Sequence, residues 1–139
     1  MGTARALREE PEERGMEIRI LREEVDNATR YAEKLRERYP HAIYIEFYEG
    51  STSLDIKTYD AGAMVIMDIA REILQGFEKV DYSSNDPEEW FKQELEVIKN
   101  SINRERSRLY NTCRVFRADI YRIEEEDGYA AGYFIGFYP

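Results

Sequence analysis

The stretch from Asp86 to Tyr110 leaves the rest of the chain the least freedom. Asp86 can cap a helix, Pro87 suits the first helical position because it has no N–H to lose, and Glu89 completes a D-x-x-E capping box. Phe91, Leu95, Ile98, Ile102 and Leu109 recur at steps of 4, 3, 4 and 7, which is one apolar stripe on a helix. The pattern predicts one helix of about 25 residues, whose stripe must be covered by a sheet or by another helix. Glu105 projects close to the centre of that stripe, where a lone carboxylate is costly. Either the stripe is open there or an arginine pairs with Glu105.

The segments on either side supply the missing cover. Residues 16–21 alternate as a strand, with Met16, Ile18 and Ile20 on one face. A helix follows from about Glu24 to Arg38, with an edge of Val25, Ala28, Ala32, Leu35 and Tyr39; Pro40 stops it, because the residue before proline avoids helical angles. Ala42–Glu49 is the clearest strand: Ile43, Ile45 and Phe47 point one way, Tyr44, Glu46 and Tyr48 the other. A turn at Glu49-Gly50-Ser51 leads to a return strand, Thr52–Tyr59, that buries Leu54 and Ile56 and exposes Asp55 and Lys57. Asp60 caps a helix running to about Lys79, apolar around most of its circumference and therefore the most buried.

After Tyr110 the period returns to two. Thr112–Ile123 reads as a strand with Phe116, Ala118 and Ile120 inward and Arg117, Asp119 and Tyr121 outward. Asp127-Gly128 is the strongest hairpin signal, and Tyr129–Tyr138 the last strand. That strand is apolar on both faces, which calls for cover on both sides or pairing with a second copy in a homo-oligomer. The expected fold class is α+β: a mixed five-stranded sheet, element order β-α-β-β-α-α-β-β, with helices packed mainly on one face. Residues 1–15 read as a charged flexible arm, broken by Pro11 and Gly15 from a single domain over 16–139.

Composition narrows the function classes. With 35% charged residues and no apolar run approaching the ~20 residues of a membrane span, the expectation is a soluble protein without a membrane partner. The N-terminal segment lacks the apolar core of a secretory signal, and the single cysteine, Cys113, precludes an internal disulfide and fits a reducing compartment, so the cytoplasm is the expected location. A net charge of −9 disfavours nucleic acid. The charge is uneven: Lys99 to Arg122 holds seven basic and two acidic residues, a local +5, leaving −14 for the remainder.

Catalytic and cofactor signatures are missing. One His and one Cys cannot build a Cys/His zinc site, no EF-hand spacing occurs, and Glu124-Glu125-Glu126-Asp127 reads as a solvated turn. His41, the only histidine, would have to serve any Ser-His or Cys-His mechanism, and nothing nearby in sequence activates Cys113. There is no G-x-G-x-x-G and no G-K-[ST], so no cofactor is expected. Gly128, Gly132 and Gly136 share one strand face, a smooth groove for close packing or for a ligand's approach.

Two binding readings remain beside a hydrolase reading that rests on almost nothing. Eleven tyrosines is a high number, and Tyr44, Tyr48, Tyr59 and Tyr121 all fall on outward registers. Aromatic anchors ringed by acid suit a basic protein surface. The leading expectation is therefore a non-enzymatic, acidic protein-binding module, an inhibitor, adaptor or regulatory subunit, that docks through Tyr44, Glu46, Tyr48 and Asp55. The alternative is a binder of an anionic small molecule or nucleotide through the arginine-rich segment 99–122, with Arg104, Arg108, Arg114 and Arg117 as ligands.

Overall fold

The computed structural model describes residues 16–48, 51–56, 61–125 and 132–139. The expectations for the 1–15 arm, the turn at 49–50, the end of the return strand with the Asp60 cap, and the Asp127-Gly128 turn with residues 129–131 lie outside them. In chain order the elements are β1 (Glu17–Val25), α1 (Ala28–Arg38), β2 (Ile43–Tyr48), β3 (Ser51–Asp55), α2 (Ala61–Phe77), α3 (Pro87–Arg104), β4 (Arg117–Glu125) and β5 (Gly132–Tyr138). They form one mixed five-stranded sheet of order β1-β4-β5-β2-β3, in which only β1 and β4 run parallel.

The two longer helices, α2 and α3, lie on one face of the sheet and the shorter α1 on the other. Strand alternation divides the side chains between them. Ile45, Phe47, Ala118, Ile120, Tyr133, Ile135 and Phe137 meet Val65, Ile66, Ile69, Ile73, Ile98 and Ile102. On the opposite face Tyr44, Tyr121, Ile123, Phe134 and Tyr138 meet Ala28, Ala32 and Leu35 of α1. β5 is central, paired with β4 and β2 and covered on both faces, which accounts for its two-sided apolarity. Both edges of Gly132–Tyr138 are thus occupied within the chain, which removes the reason for a homo-oligomer through that strand.

The organising helix has the expected start and a different end. Asp86 accepts the Glu88 N–H at 3.0 Å, but the reciprocal partner of its own N–H is Ser84 Oγ rather than Glu89. Ile98, Ile102 and Leu109 are fully buried, and Phe91 and Leu95 pack beside them. Regular helix stops at Arg104; Glu105 leaves the helical angles, a three-residue turn follows, and Leu109–Cys113 forms a π-helical turn ending on Arg114 in the left-handed region at φ 54°. Arg108 pairs with Glu105 at 2.9 Å, so the carboxylate in the stripe is answered by an arginine. The break also shortens β4, which begins at Arg117 rather than Thr112 and leaves Phe116 exposed.

β1 runs on to Val25, so α1 begins at Ala28 rather than at Glu24. Asn27 caps it by accepting the Arg30 N–H at 2.8 Å. The glycines serve close packing. A Cβ on Gly132 would stand 2.2 Å from the Phe47 carbonyl oxygen, and one on Gly136 would strike the Tyr138 phenol.

Candidate functional site

The face expected to meet a partner is covered by α1. Tyr44, Glu46 and Tyr48 do point away from Ile45 and Phe47, but Tyr44 is wholly buried and Glu46 nearly so. The Tyr44 hydroxyl lies 3.1 Å from the carbonyl oxygens of both Leu35 and Tyr39 and shares its O–H between them, adding to the backbone N–H groups of Tyr39 and Ala42 that these carbonyls already accept at the C-terminal end of α1. Arg36 of α1 places its guanidinium 2.7 Å from both Glu46 and Asp55 and 5.6 Å from the centre of the Phe134 ring. Glu46 also accepts the hydroxyls of Ser53 and Tyr48. β2 alternates as its sequence predicts, but the alternation does not reveal that a second helical layer closes this side. Asp119 and Tyr121, expected outward on β4, are buried for the same reason, with Asp119 held by Arg19 at 3.0 Å and Arg117 at 3.2 Å.

The arginine-rich segment is not a free cationic patch. Arg104 binds Glu72 at 2.8 Å, Arg108 binds Asp68 and Glu105, and Arg117 binds Asp119 and lies over the Tyr138 ring. Arg114 alone of the four is exposed with no ion pair among the described residues. His41 is exposed just after Pro40, and Cys113 is half-buried beside the α2–α3 core. No group of three metal-ligating side chains occurs among the described residues, and no described helix is long and apolar enough to cross a membrane.

A different set of residues converges. At the end of the sheet where β2 stops and β5 begins, under the loop joining α2 to α3, a cleft of about 630 Å³ opens. That volume lies in the range of small-ligand pockets. Phe47, Phe77 and Tyr133 form one wall, Tyr82, Pro87 and Trp90 the other, and Tyr48, Glu94, Arg122 and Gly132 complete the lining. The first turns of α3 set Trp90 and Glu94 four residues apart on one flank, beside rather than within the buried stripe. The Trp90 indole N–H donates to the Ser84 carbonyl at 2.8 Å, and its ring meets Tyr82 edge-on at 5.7 Å. Phe47 and Phe77 stand edge-on at 5.8 Å.

Glu94 joins the two walls. One of its oxygens accepts the Tyr82 hydroxyl at 2.6 Å, the other the Tyr133 hydroxyl at 2.9 Å. Burial, with the Glu94 carboxylate beside them, pushes both phenols above their ordinary pKa, so both remain donors through neutral and moderately alkaline pH. Among the described residues no cation lies within 4 Å of Glu94. The nearby Arg122 is placed over the Tyr133 ring at 5.0 Å and the Phe91 ring at 5.5 Å and faces Glu124 at 3.7 Å. Of the residues expected at a partner site, only Tyr48 reaches this cleft. Tyr82, Trp90 and Glu94 were missed. The signal available was the only tryptophan set four residues before a glutamate, just off the apolar stripe. No protein-family model matches the chain, and no curated protein or solved structure matches it either.

Proposed function

We propose that the protein is a non-enzymatic binding module that docks on a basic surface of a partner protein, with the aromatic cleft as the pocket that receives the partner's anchoring side chain. The observation that carries this reading is Glu94, a carboxylate held by two phenols in an aromatic cleft with no cation within 4 Å among the described residues. Aromatic faces and an unanswered carboxylate both favour positive charge. The net charge of −9 draws a basic partner from a distance, an attraction that salt weakens. An anion held by Arg104, Arg108, Arg114 and Arg117 is the weaker reading, because three of those guanidiniums would have to leave carboxylates of their own chain.

The test is affinity capture from cell lysate at low and high salt with the full chain and its Glu94→Gln variant, followed by mass spectrometry. A basic protein held by the parent at low salt, and lost both in the variant and at high salt, is the expected result. Identical captured sets for parent and variant would remove the cleft from the proposal.

A further inference from the structure

We infer that the group this cleft receives is a guanidinium, the side chain of an arginine presented by the partner protein, and that Glu94 binds it through two parallel N–H···O contacts. The inference rests on the cleft being the recognition element. Each Glu94 oxygen already accepts one phenol, and a carboxylate oxygen has two lone-pair sites, so one acceptor site remains on each. A guanidinium is the side chain whose fixed, forked N–H groups serve the two oxygens of one carboxylate together. An ammonium is a compact and strongly hydrated point charge and fits that pair less well.

The molecule's own arginines supply the template. Arg36 lies over Phe134 while bridging Glu46 and Asp55. Arg22 lies over Phe91 while binding Glu88 and Glu124. Arg117 lies 4.5 Å from the Tyr138 ring centre while binding Asp119. A fourth arginine, Arg122, is in the lining of the cleft itself; it lies over the Tyr133 and Phe91 rings and faces Glu124 at 3.7 Å, so it does not answer Glu94. Glu94 has the aromatic neighbours of this arrangement and no arginine within 4 Å among the described residues. A planar guanidinium stacks on aromatic faces and sheds water more readily than an ammonium.

Trp90 is the only tryptophan and lines the cleft, so its emission reports occupancy directly. The full chain would be titrated with four short peptides identical except for one central residue: arginine, lysine, trimethyl-lysine or citrulline, the last a neutral isostere of arginine. The arginine peptide is expected to change Trp90 emission saturably, with the lysine and trimethyl-lysine peptides at least about tenfold weaker and citrulline without effect over the same range. Glu94→Gln should weaken the arginine peptide by about tenfold or more. Tyr82→Phe, at an exposed position, removes one of the phenols that orient Glu94 and should weaken it by a smaller factor even if the first variant folds poorly. Lysine or trimethyl-lysine binding as tightly as arginine would overturn the guanidinium assignment and leave the cleft as a cation pocket. Binding of citrulline equal to that of arginine would overturn both charge and fork. No change with any peptide would overturn the cleft reading itself.

Discussion

Glu46 and Glu94 have the same kind of neighbours and opposite positions in the molecule. Each is a carboxylate that accepts a tyrosine hydroxyl among aromatic rings, Glu46 from a strand of the sheet and Glu94 from helix α3. Glu46 is buried under α1 and answered by Arg36; Glu94 stands in a cleft with no cation within 4 Å among the described residues, the neighbouring Arg122 facing Glu124 instead. Tyrosine and acid in one register therefore do not by themselves mark a binding surface. What separates a piece of internal architecture from a candidate site is whether another element brings the countercharge.

If that contrast is right, the two carboxylates respond differently to mutation. The largest effect is expected for Arg36→Ala, which leaves Glu46 buried without its cation and uncovers Phe134. Roughly 3 kcal/mol of stability should be lost, read from urea unfolding. A loss below about 0.5 kcal/mol, the size of an ordinary surface substitution, would break the contrast.

Next is Gly132→Ala. Its new Cβ would lie 2.2 Å from the Phe47 carbonyl oxygen, so backbone must move where β2, β5 and the cleft meet. About 2 kcal/mol should be lost, and the arginine-peptide titration should weaken with it.

Tyr44→Phe removes the hydroxyl that serves the end of α1 and should cost about 1 kcal/mol at neutral pH. The same residue gives a pH signature. Burial pushes the Tyr44 phenol up to about 12 from an ordinary 10.0, so the unfolded chain releases that proton first. The stabilising preference for the protonated fold is fully present below pH 10 and is lost as pH rises toward 12. Urea titrations across that window should show a shallower decline for Tyr44→Phe than for the parent. Tyr31 and Tyr48, each also raised to about 12 by burial, and Tyr82, Tyr121, Tyr133 and Tyr138, raised further by burial, supply the decline that remains.

The smallest effect on stability is expected for Glu94→Gln, below about 1 kcal/mol, because no ion pair is broken and the amide keeps an acceptor for one phenol and offers an N–H to the oxygen of the other. Its melting curve should stay close to the parent's while its peptide binding falls. Arg36→Ala should give the reverse ordering.

Most of the architecture was legible because it follows from local rules. The stripe from Phe91 to Leu109, the alternation of Ile43, Ile45 and Phe47, and the stop at Pro40 each arise from neighbours in sequence. The site was not legible, because its parts come from β2, the α2–α3 loop, the first half of α3, β4 and β5. Nothing local to Tyr44 says that α1 will fold across it, and nothing local to Glu94 says that Tyr133 will reach it from 39 residues away. The end of the long helix was not legible either: Glu105, on the stripe, leaves the helical angles and pairs with Arg108 three residues on.

The parallel pairing of β1 with β4 bears on how the chain is made. Glu17 sits opposite Arg117 and Arg19 opposite Asp119, so every contact of this ladder closes a loop of 100 residues. At ordinary translation rates of about 5–20 residues per second, β1 waits roughly 5–20 s for the strand it pairs with. Pairings this distant also form slowly in the isolated chain, since the entropy of closing the loop comes before the contacts that reward it. β1 should therefore dock late, onto a sheet already assembled from β2 to β5. An unpaired strand exposed for that long invites association with other nascent chains. The run Glu17, Arg19, Arg22, Glu23 and Glu24 makes it a poor template for a stranger while leaving Arg19 and Arg22 matched to Asp119 and Glu124 when those arrive. The charge pattern of this edge works as a timer's safeguard during synthesis as much as a surface of the finished fold.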